Sequence, residues 1–380
     1  MGMQGKMGSD GMGAKHAFDL KDYEFLRYLQ VFDKPISRIV SIGVALPERV
    51  VDNEEIAGMV EAPPFLKRHL ATLIYRVTGN KTRRYAEPGT PPSELAVKAV
   101  NQALERAHLE IGSIDTLIFA STDMDTLEPA TANIVQHKLG VPLLNSFDVT
   151  NACNSFLQAM NVANGLIASG GARRVLICSG EIGSYVCNRR VENMKDLDIK
   201  LGGLTLGDAG AAMILEPADG DSGLLEINLN SLGEYWELCH VPETTDWRQR
   251  EGGIIHGWFY LKMSALAEVA REVTKKYFQE YRKFRQENFN EKDFFEHIDR
   301  VVPHQISRRF IEVIAKSISL KTMDRVVVTA DIYGNTASTA IPLAMNLMME
   351  QGLSVIGSGE EVLLYGAASG FGIGHLRVRM

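Results

Sequence analysis

Apolar residues in this chain recur in short runs, parted by polar turns and by stretches of helical period. The first run, SRIVSIGVALPERVVDN from Ser37, predicts a strand, a polar turn and a helix start. Further runs follow at IDTLIFAST (from Ile114), RRVLICSGEIGS (from Arg173), IDRVVPHQI (from Ile298) and EEVLLYGAASGFGIG (from Glu360). Strands alternating with helices in this way predict an α/β architecture. Between Asp148 and Arg173 no residue is charged, so the helix there must be buried, with Phe156, Leu157, Met160 and Leu166 as its contacts. The stretch KKYFQEYRKFRQEN, from Lys275, predicts instead a charged helix with a solvated face. Ahead of the main fold, His16 to Lys34 predicts a short amphipathic helix. The first fifteen residues, MGMQGKMGSDGMGAK, predict a flexible tail without a signal peptide's apolar core.

The runs also echo one another. IDTLIFAST leads into a helix containing TANIVQHKLG, as IDRVVPHQI leads into one containing RRFIEVIAKSI. NSFDVTNACNSFLQAMNVANGLI has its counterpart in MDRVVVTADIYGNTASTAIPLAMNLM, and RRVLICSGEIGS in EEVLLYGAASGFGIG. Same order at a separation of roughly 180 residues predicts a duplicated α/β unit. The expected divisions are an extension over 1–35, one half over 36–218 and a second over 219–380. A pseudo-twofold axis would bring the loops carrying Cys153, Asn335, His304 and Glu128 to one place. The middle segment, about Gly183 to Met263, fits the repeat poorly and contains Trp236, Trp247 and Trp258. It is expected to cover a site or to line a channel.

Composition narrows the class. The 380 residues are 45% hydrophobic and 23% charged, as in globular proteins, and the net charge of −7 argues against nucleic acid or anionic membrane as partner. No apolar run reaches the ~18 residues that a membrane span requires. The four cysteines, Cys153, Cys178, Cys187 and Cys239, form no CxxC pair, so no metal or redox motif is expected. They fit a reducing cytoplasm better than a disulfide scaffold.

Three residues carry candidate chemistry. Cys153 opens the uncharged helix, where unpaired N–H groups and the helix dipole favour thiolate; an inert buried cysteine is the alternative. His304 follows a strand and a proline, and Asn335 lies in a Gly-Asn-Thr turn; alone, either reads as scaffolding. The repeat, which directs all three loops to one place, turns them into an acyl-transfer constellation. The turn ASGFGIG offers the backbone N–H of Ser369, beside Gly370, to pair with that of Cys153 as an oxyanion hole. Papain-like proteases share the order Cys, His, Asn, but NACNS lacks their CGSCW pattern and a duplicated α/β unit does not fit their fold.

At these motifs the chain resembles the thiolase superfamily, in particular ketoacyl-acyl-carrier-protein synthase III and its relatives. The likeness runs from about Ser37 to Met380 through DVTNAC, VPHQ, YGNTAS, LGDAGAAMIL and the closing glycine turn. It implies a duplicated five-layered αβαβα thiolase fold and a homodimer. It implies that Cys153 takes an acyl group from a thioester of CoA or acyl-carrier protein. His304 and Asn335 then stabilise the enolate of a second thioester, whose carbanion attacks the acyl-enzyme. No bound cofactor is implied, the substrates being carried on phosphopantetheine. Arg309 matches an arginine that helps dock the carrier protein, and Arg76 one that contacts CoA or phosphopantetheine.

Three departures narrow the expectation. Thr72 stands where the common synthase stacks a tryptophan on adenine. Ala368-Ser369-Gly370 replaces three glycines. Glu128 stands where the common synthase has an apolar residue that reaches into the partner's pocket. The condensing enzymes of olefin biosynthesis, which join two acyl chains head to head, use a glutamate there as base toward the carbon α to the thioester. With Pro129 next, Glu128 also fits a helix start. Head-to-head Claisen condensation is therefore expected. The alternatives are decarboxylative extension with malonyl-carrier protein, fusion of two polyketide chains, and O- or N-acyl transfer, against which Asn335 counts.

Overall fold

The computed structural model describes residues 20, 23–241, 257–320 and 322–380. The tail, the first part of the expected His16–Lys34 helix and Trp247 lie outside the described residues. The chain enters through a short strand, β1 (Gln30–Val31). The first half lays down β2 (Ser37–Ala45), β3 (Arg49–Asp52), β4 (Thr82–Tyr85), β5 (Thr116–Ala120), β6 (Asn145–Val149), β7 (Val175–Ile182) and β8 (Asp208–Pro217). The second half adds β9 (Gly223–Ser231), β10 (Cys239–His240), β11 (Tyr260–Leu261), β12 (Arg300–Pro303), β13 (Glu361–Ala368) and β14 (Gly372–Arg379).

Two mixed five-stranded sheets result, with strand orders β2-β8-β7-β5-β6 and β1-β9-β14-β13-β12. Apart from β1 the orders correspond, with β2, β8, β7 and β5 matching β9, β14, β13 and β12. A parallel bridge from Val301 to Val326 stands in the place of β6. The match extends to single hydrogen bonds. The N–H of Asp115 donates to Arg174 O at 3.0 Å, and that of its counterpart Asp299 to Glu361 O at 2.8 Å. The duplicated architecture expected from the echoed runs is therefore present.

The uncharged helix, Ser155–Ala168, lies between the sheets. Its Phe156, Leu157, Met160 and Ala163 meet Ile341, Ala344, Met345 and Met348 of the equivalent helix Ala340–Glu350. Both helices are uncharged over their buried turns because each packs between the two sheets. Helices Pro92–Ala107 and Thr131–Lys138 cover the outer face of the first sheet, and Met263–Phe289 and Arg308–Ser317 that of the second. These are the five layers. Among the described residues no helix is long and apolar enough to cross a membrane.

Three expectations change. The His16–Lys34 segment is not helical where it is described: Phe25–Tyr28 is a turn, and Gln30–Val31 pairs antiparallel with β9. Its backbone groups are satisfied by other elements instead of by a helical ladder. Lys276 Nζ donates to the carbonyls of Leu20 and Tyr23, Phe25 N–H donates to Glu280 at 3.0 Å, and Asn228 Nδ2 donates to Phe25 O at 2.9 Å. The charged helix is only partly solvated, since this strap crosses it and Arg285 is buried in ion pairs with Glu226 and Glu291. The middle segment, finally, is not all insertion, because β8 and β9 are core strands of the two sheets.

Phe25, 2% exposed, seats its ring edge-on against Tyr277. Phe25→Ala should therefore cost roughly 3 kcal/mol, the usual scale for emptying a buried aromatic site. Urea denaturation followed by tryptophan fluorescence would read this as a lower midpoint. An unchanged midpoint would show that the strap does not contribute to the fold.

Candidate active site

Cys153 sits beyond β6, and its surroundings explain how it is presented. Asp148, in β6, accepts the N–H groups of Thr131 and Ala132 at 2.8 Å each and so caps a helix that has no cap of its own. Past the strand, Ser155 Oγ accepts from Asn151 N–H at 2.8 Å and donates to Ala152 O at 2.6 Å. This knot holds Ala152 at φ 46°, a left-handed conformation that costs roughly 1 kcal/mol or more for a residue with a Cβ. The tight elbow turns Cys153 toward a cavity of about 440 Å³.

The cavity also receives His304, Asn335, Ser369, Cys239 and Thr205, and most of its remaining wall is apolar. His304 follows β12 and donates its backbone N–H to Tyr365 O at 2.8 Å, while Nδ1 has no protein partner. Gln305, fully buried beside it, donates Nε2 to Pro303 O and Val327 O at 2.8 and 3.0 Å. Its Oε1 accepts from Thr329 and Ala330 N–H at 2.8 and 3.1 Å. Three of these four bonds tie the histidine loop to the segment that leads to Asn335.

Asn335 is gripped through its backbone. Its N–H donates to Thr205 O at 2.9 Å, and its carbonyl accepts from Gly207 N–H at 2.9 Å. Such an approach requires two glycines. A Cβ on Gly207 would lie 2.3 Å from Tyr333 O, and one on Gly334 would lie 2.4 Å from Thr205 O, with φ at 71° besides. The Asn335 Oδ1 accepts from Ala337 N–H at 3.0 Å, which leaves Nδ2 as the donor for the cavity.

Beside the Cys153 sulfur, the backbone N–H groups of Ser369 and of Cys153 itself favour the charged thiol, as the expected oxyanion pair would. Ser369 Oγ is in turn 2.9 Å from Cys239 Sγ. The expected drift of Cys153 toward thiolate is not found. Burial, reinforced by Cys239 and Glu181, pushes the thiol up and outweighs those two donors. The Cys153 residue is partly open to the cavity, while its thiol lies deep in the cavity wall. Burial likewise takes His304 down to about 4. Thiol and imidazole are both neutral near pH 7 before a substrate enters.

The other expected residues are placed differently. Arg309 stands at the cavity mouth, half exposed and paired with Glu312 at 2.8 Å. Arg76 is exposed outside the cavity, although Leu73, Val77 and Thr78 of its helix line it. Thr72 is exposed on the same helix. Glu128 lies on an exposed loop before helix Thr131–Lys138 and is absent from the cavity wall of its own chain. The middle segment supplies Met194, Leu197, Leu201, Phe259 and Leu261 to that wall, as a channel-lining insertion should. The residues that sequence reasoning missed are Gln305, Cys239, Thr205 and Glu181. Only the last carried a signal, a lone carboxylate in the apolar run VLICSGEI. Among the described residues no cluster of His, Cys, Asp and Glu could hold a metal.

Comparison with known proteins groups the chain with condensing enzymes. Residues 147–233 match the model for 3-oxoacyl-[acyl-carrier-protein] synthase III, and 294–380 that for its C-terminal part. Residues 41–187 match the model for stage V sporulation protein AD. The β-ketoacyl-[acyl-carrier-protein] synthase III of Methylococcus capsulatus is 32% identical over 90% of this chain and 98% of its own length. That of Laribacter hongkongensis is 32% identical with the same coverage. Among solved structures, the synthase III of Pseudomonas aeruginosa is 24% identical, with TM-score 0.77 over 90% of this chain and 98% of that one. Xanthomonas campestris OleA, with bound lauric acid and lauroyl-CoA, is 22% identical, with TM-score 0.77 over 91% and 99%.

Because burial raises the Cys153 thiol, its alkylation by iodoacetamide should climb with pH and reach half its maximum above about 8.5, the ordinary thiol range. Peptide mass mapping distinguishes it from the other cysteines. A rate already at its plateau below neutrality would show that the pocket stabilises thiolate instead.

Proposed function

The chain belongs to the 3-oxoacyl-[acyl-carrier-protein] synthase III family of condensing enzymes, and from that membership we propose that it transfers an acyl group to Cys153 and then joins it to a second acyl thioester by Claisen condensation. One observation carries the reading: Cys153, His304 and Asn335 open on one apolar cavity, whose wall also includes Ser369.

The steps follow from the groups present. A thioester carbonyl oxygen takes the two N–H donors, His304 accepts the thiol proton, and sulfur attacks. The carrier leaves as a thiol with that proton, and the acyl group stays on Cys153. The carbonyl of a second thioester then receives hydrogen bonds from Asn335 Nδ2 and His304, which stabilise its enolate. The α-carbon attacks the acyl-enzyme, forming the carbon–carbon bond and releasing Cys153. A cavity of about 440 Å³ falls in the usual range for small-molecule sites, and its apolar wall suits an alkyl chain. The lauric acid and lauroyl-CoA held by OleA are consistent with such a ligand. Arg309 at the mouth suits an anionic carrier protein or the phosphates of CoA.

The source of the enolate divides the finer readings. Head-to-head condensation requires a base for the α-proton, and Glu128 is the candidate, delivered by a second copy. Its support is that β6 is an unpaired sheet edge near Leu127 and Leu143, 62% and 89% exposed, so that a partner along this edge would bring the Glu128 loop with it. Decarboxylation of a malonyl thioester would need no such base, and the activity in the names of the curated relatives favours it.

Cys153→Ala should abolish covalent labelling by an acyl-CoA in intact-protein mass spectrometry; labelling that persists would remove the nucleophile assignment. Glu128→Ala should still acylate, yet lose at least about 100-fold in condensation of two non-malonyl acyl-CoAs, the scale of a missing general base. Full condensation by that variant would rule out the base role of Glu128.

A further inference from the structure

The steps above give no role to the buried carboxyl group of Glu181. Glu181, in β7 of the first half, is 1% exposed. Its Oε1 accepts Thr122 N–H at 2.9 Å and Ser338 N–H at 3.3 Å. The hydroxyls of Ser338 and Thr122 also close on the carboxyl, at Oε1 and Oε2 respectively. Thr122 belongs to the first half, as Glu181 does. Ser338 belongs to the second half and lies three residues beyond Asn335.

The repeat shows what Ser338 is. Counted back from the shared Ala-Met-Asn at 159–161 and 344–346, Ser338 falls where Cys153 falls in the other half. The residues before them, Ala337 and Ala152, share the left-handed conformation at φ 48° and 46°. The second half has kept the elbow but carries a buried hydroxyl in place of the thiol. Ser338 does not line the cavity, and its Oγ is also 2.7 Å from Ser179 Oγ and 3.0 Å from Ala120 O. It is therefore a handle rather than a nucleophile.

We propose that Glu181 is a positioning residue for Asn335: by gripping Ser338 across the junction of the two halves, it holds the turn that presents the Asn335 amide to the second thioester. The proposal rests on the reading of Asn335 as an enolate-stabilising group. Removing the carboxyl would strand up to four buried donors, and the turn would shift to satisfy them. Glutamine replaces the grip, because its Oε1 can accept from Ser338 and Thr122 N–H while Nε2 donates to Thr122 Oγ1. Burial, then Asp123, push the Glu181 carboxyl up to about 7, so the neutral form that glutamine mimics is within reach at neutrality. Leucine fills the space without any acceptor.

Acylation uses the N–H groups of Cys153 and Ser369 and does not need Asn335, so the half-reactions separate the outcomes. Full-length variants would be assayed for acylation of Cys153 by single-turnover mass spectrometry and for condensation by product analysis, with melting temperature recorded. Glu181→Gln is expected within about 3-fold of the unsubstituted enzyme in both. Glu181→Leu and Ser338→Ala should acylate within about 3-fold but lose condensation by about 100-fold and about 10-fold, a displaced catalytic group and one lost hydrogen bond respectively. Should Glu181→Leu fail to fold, the smaller Ser338→Ala still decides. Normal condensation by both variants, loss of acylation in proportion, or failure of Glu181→Gln alongside Glu181→Leu would each overturn the proposal. An unsubstituted enzyme that never acylates would instead overturn the reading on which it rests.

Discussion

The site depends on a contact between two stretches of backbone. Thr205 to Gly207 meets Asn335 through two hydrogen bonds, and glycines at 207 and 334 let the chains approach within a Cβ's width. The surroundings keep this contact rigid. Arg83, entirely buried, donates to Leu204 O at 3.0 Å and to Asn53 Oδ1 at 2.8 Å, so carbonyl and amide oxygens solvate its charge. Next in the chain, Asp208 accepts from Ala86 N–H, Ser184 N–H and Ser184 Oγ. A carboxamide on a turn could otherwise swing by more than an ångström, and the enolate stabilisation proposed for Asn335 would not tolerate that error.

A dry cavity sets the electrostatic character of the chemistry. Desolvation penalises ions, and it keeps both Cys153 and His304 neutral at rest. In the proposed reaction, charge appears only when a thioester carbonyl arrives to share it with the backbone donors. Fixed dipoles then act at close range without competing water, where each hydrogen bond counts for more. A permanent thiolate would have to be solvated inside an apolar tunnel, which an alkyl chain must also traverse.

Much of this was legible in the sequence. The echoed runs exposed the duplication, and DVTNAC, VVPHQ and YGNTAS marked the three side chains that meet. What escaped notice depends on tertiary context. Gln305 looks like an ordinary neighbour of His304 until its four partners, from two segments, are assembled around it. The thiol's ionisation was misjudged because a helix N-terminus is a local feature, whereas desolvation depends on residues as remote as Cys239. The 16–34 segment has helical periodicity, yet Lys276, Glu280 and Asn228 offer its backbone better partners than it could supply itself. The interior role of β8 and β9 was masked by the glycines and insertions around them.

The strap at the N-terminus has a consequence for biosynthesis. Residues 23 to 32 are made well before their partners, and Phe25 is held by side chains 203 and 255 positions later. It must wait until both β9 and helix Met263–Phe289 exist before it can be seated, so it docks only after elements that are made much later than itself. The aromatic cluster at Tyr277 thus stays incomplete until synthesis has passed the middle of the chain. A chain interrupted after the first half would present Phe25 as an unburied hydrophobic anchor, a mark by which quality control could recognise an unfinished molecule.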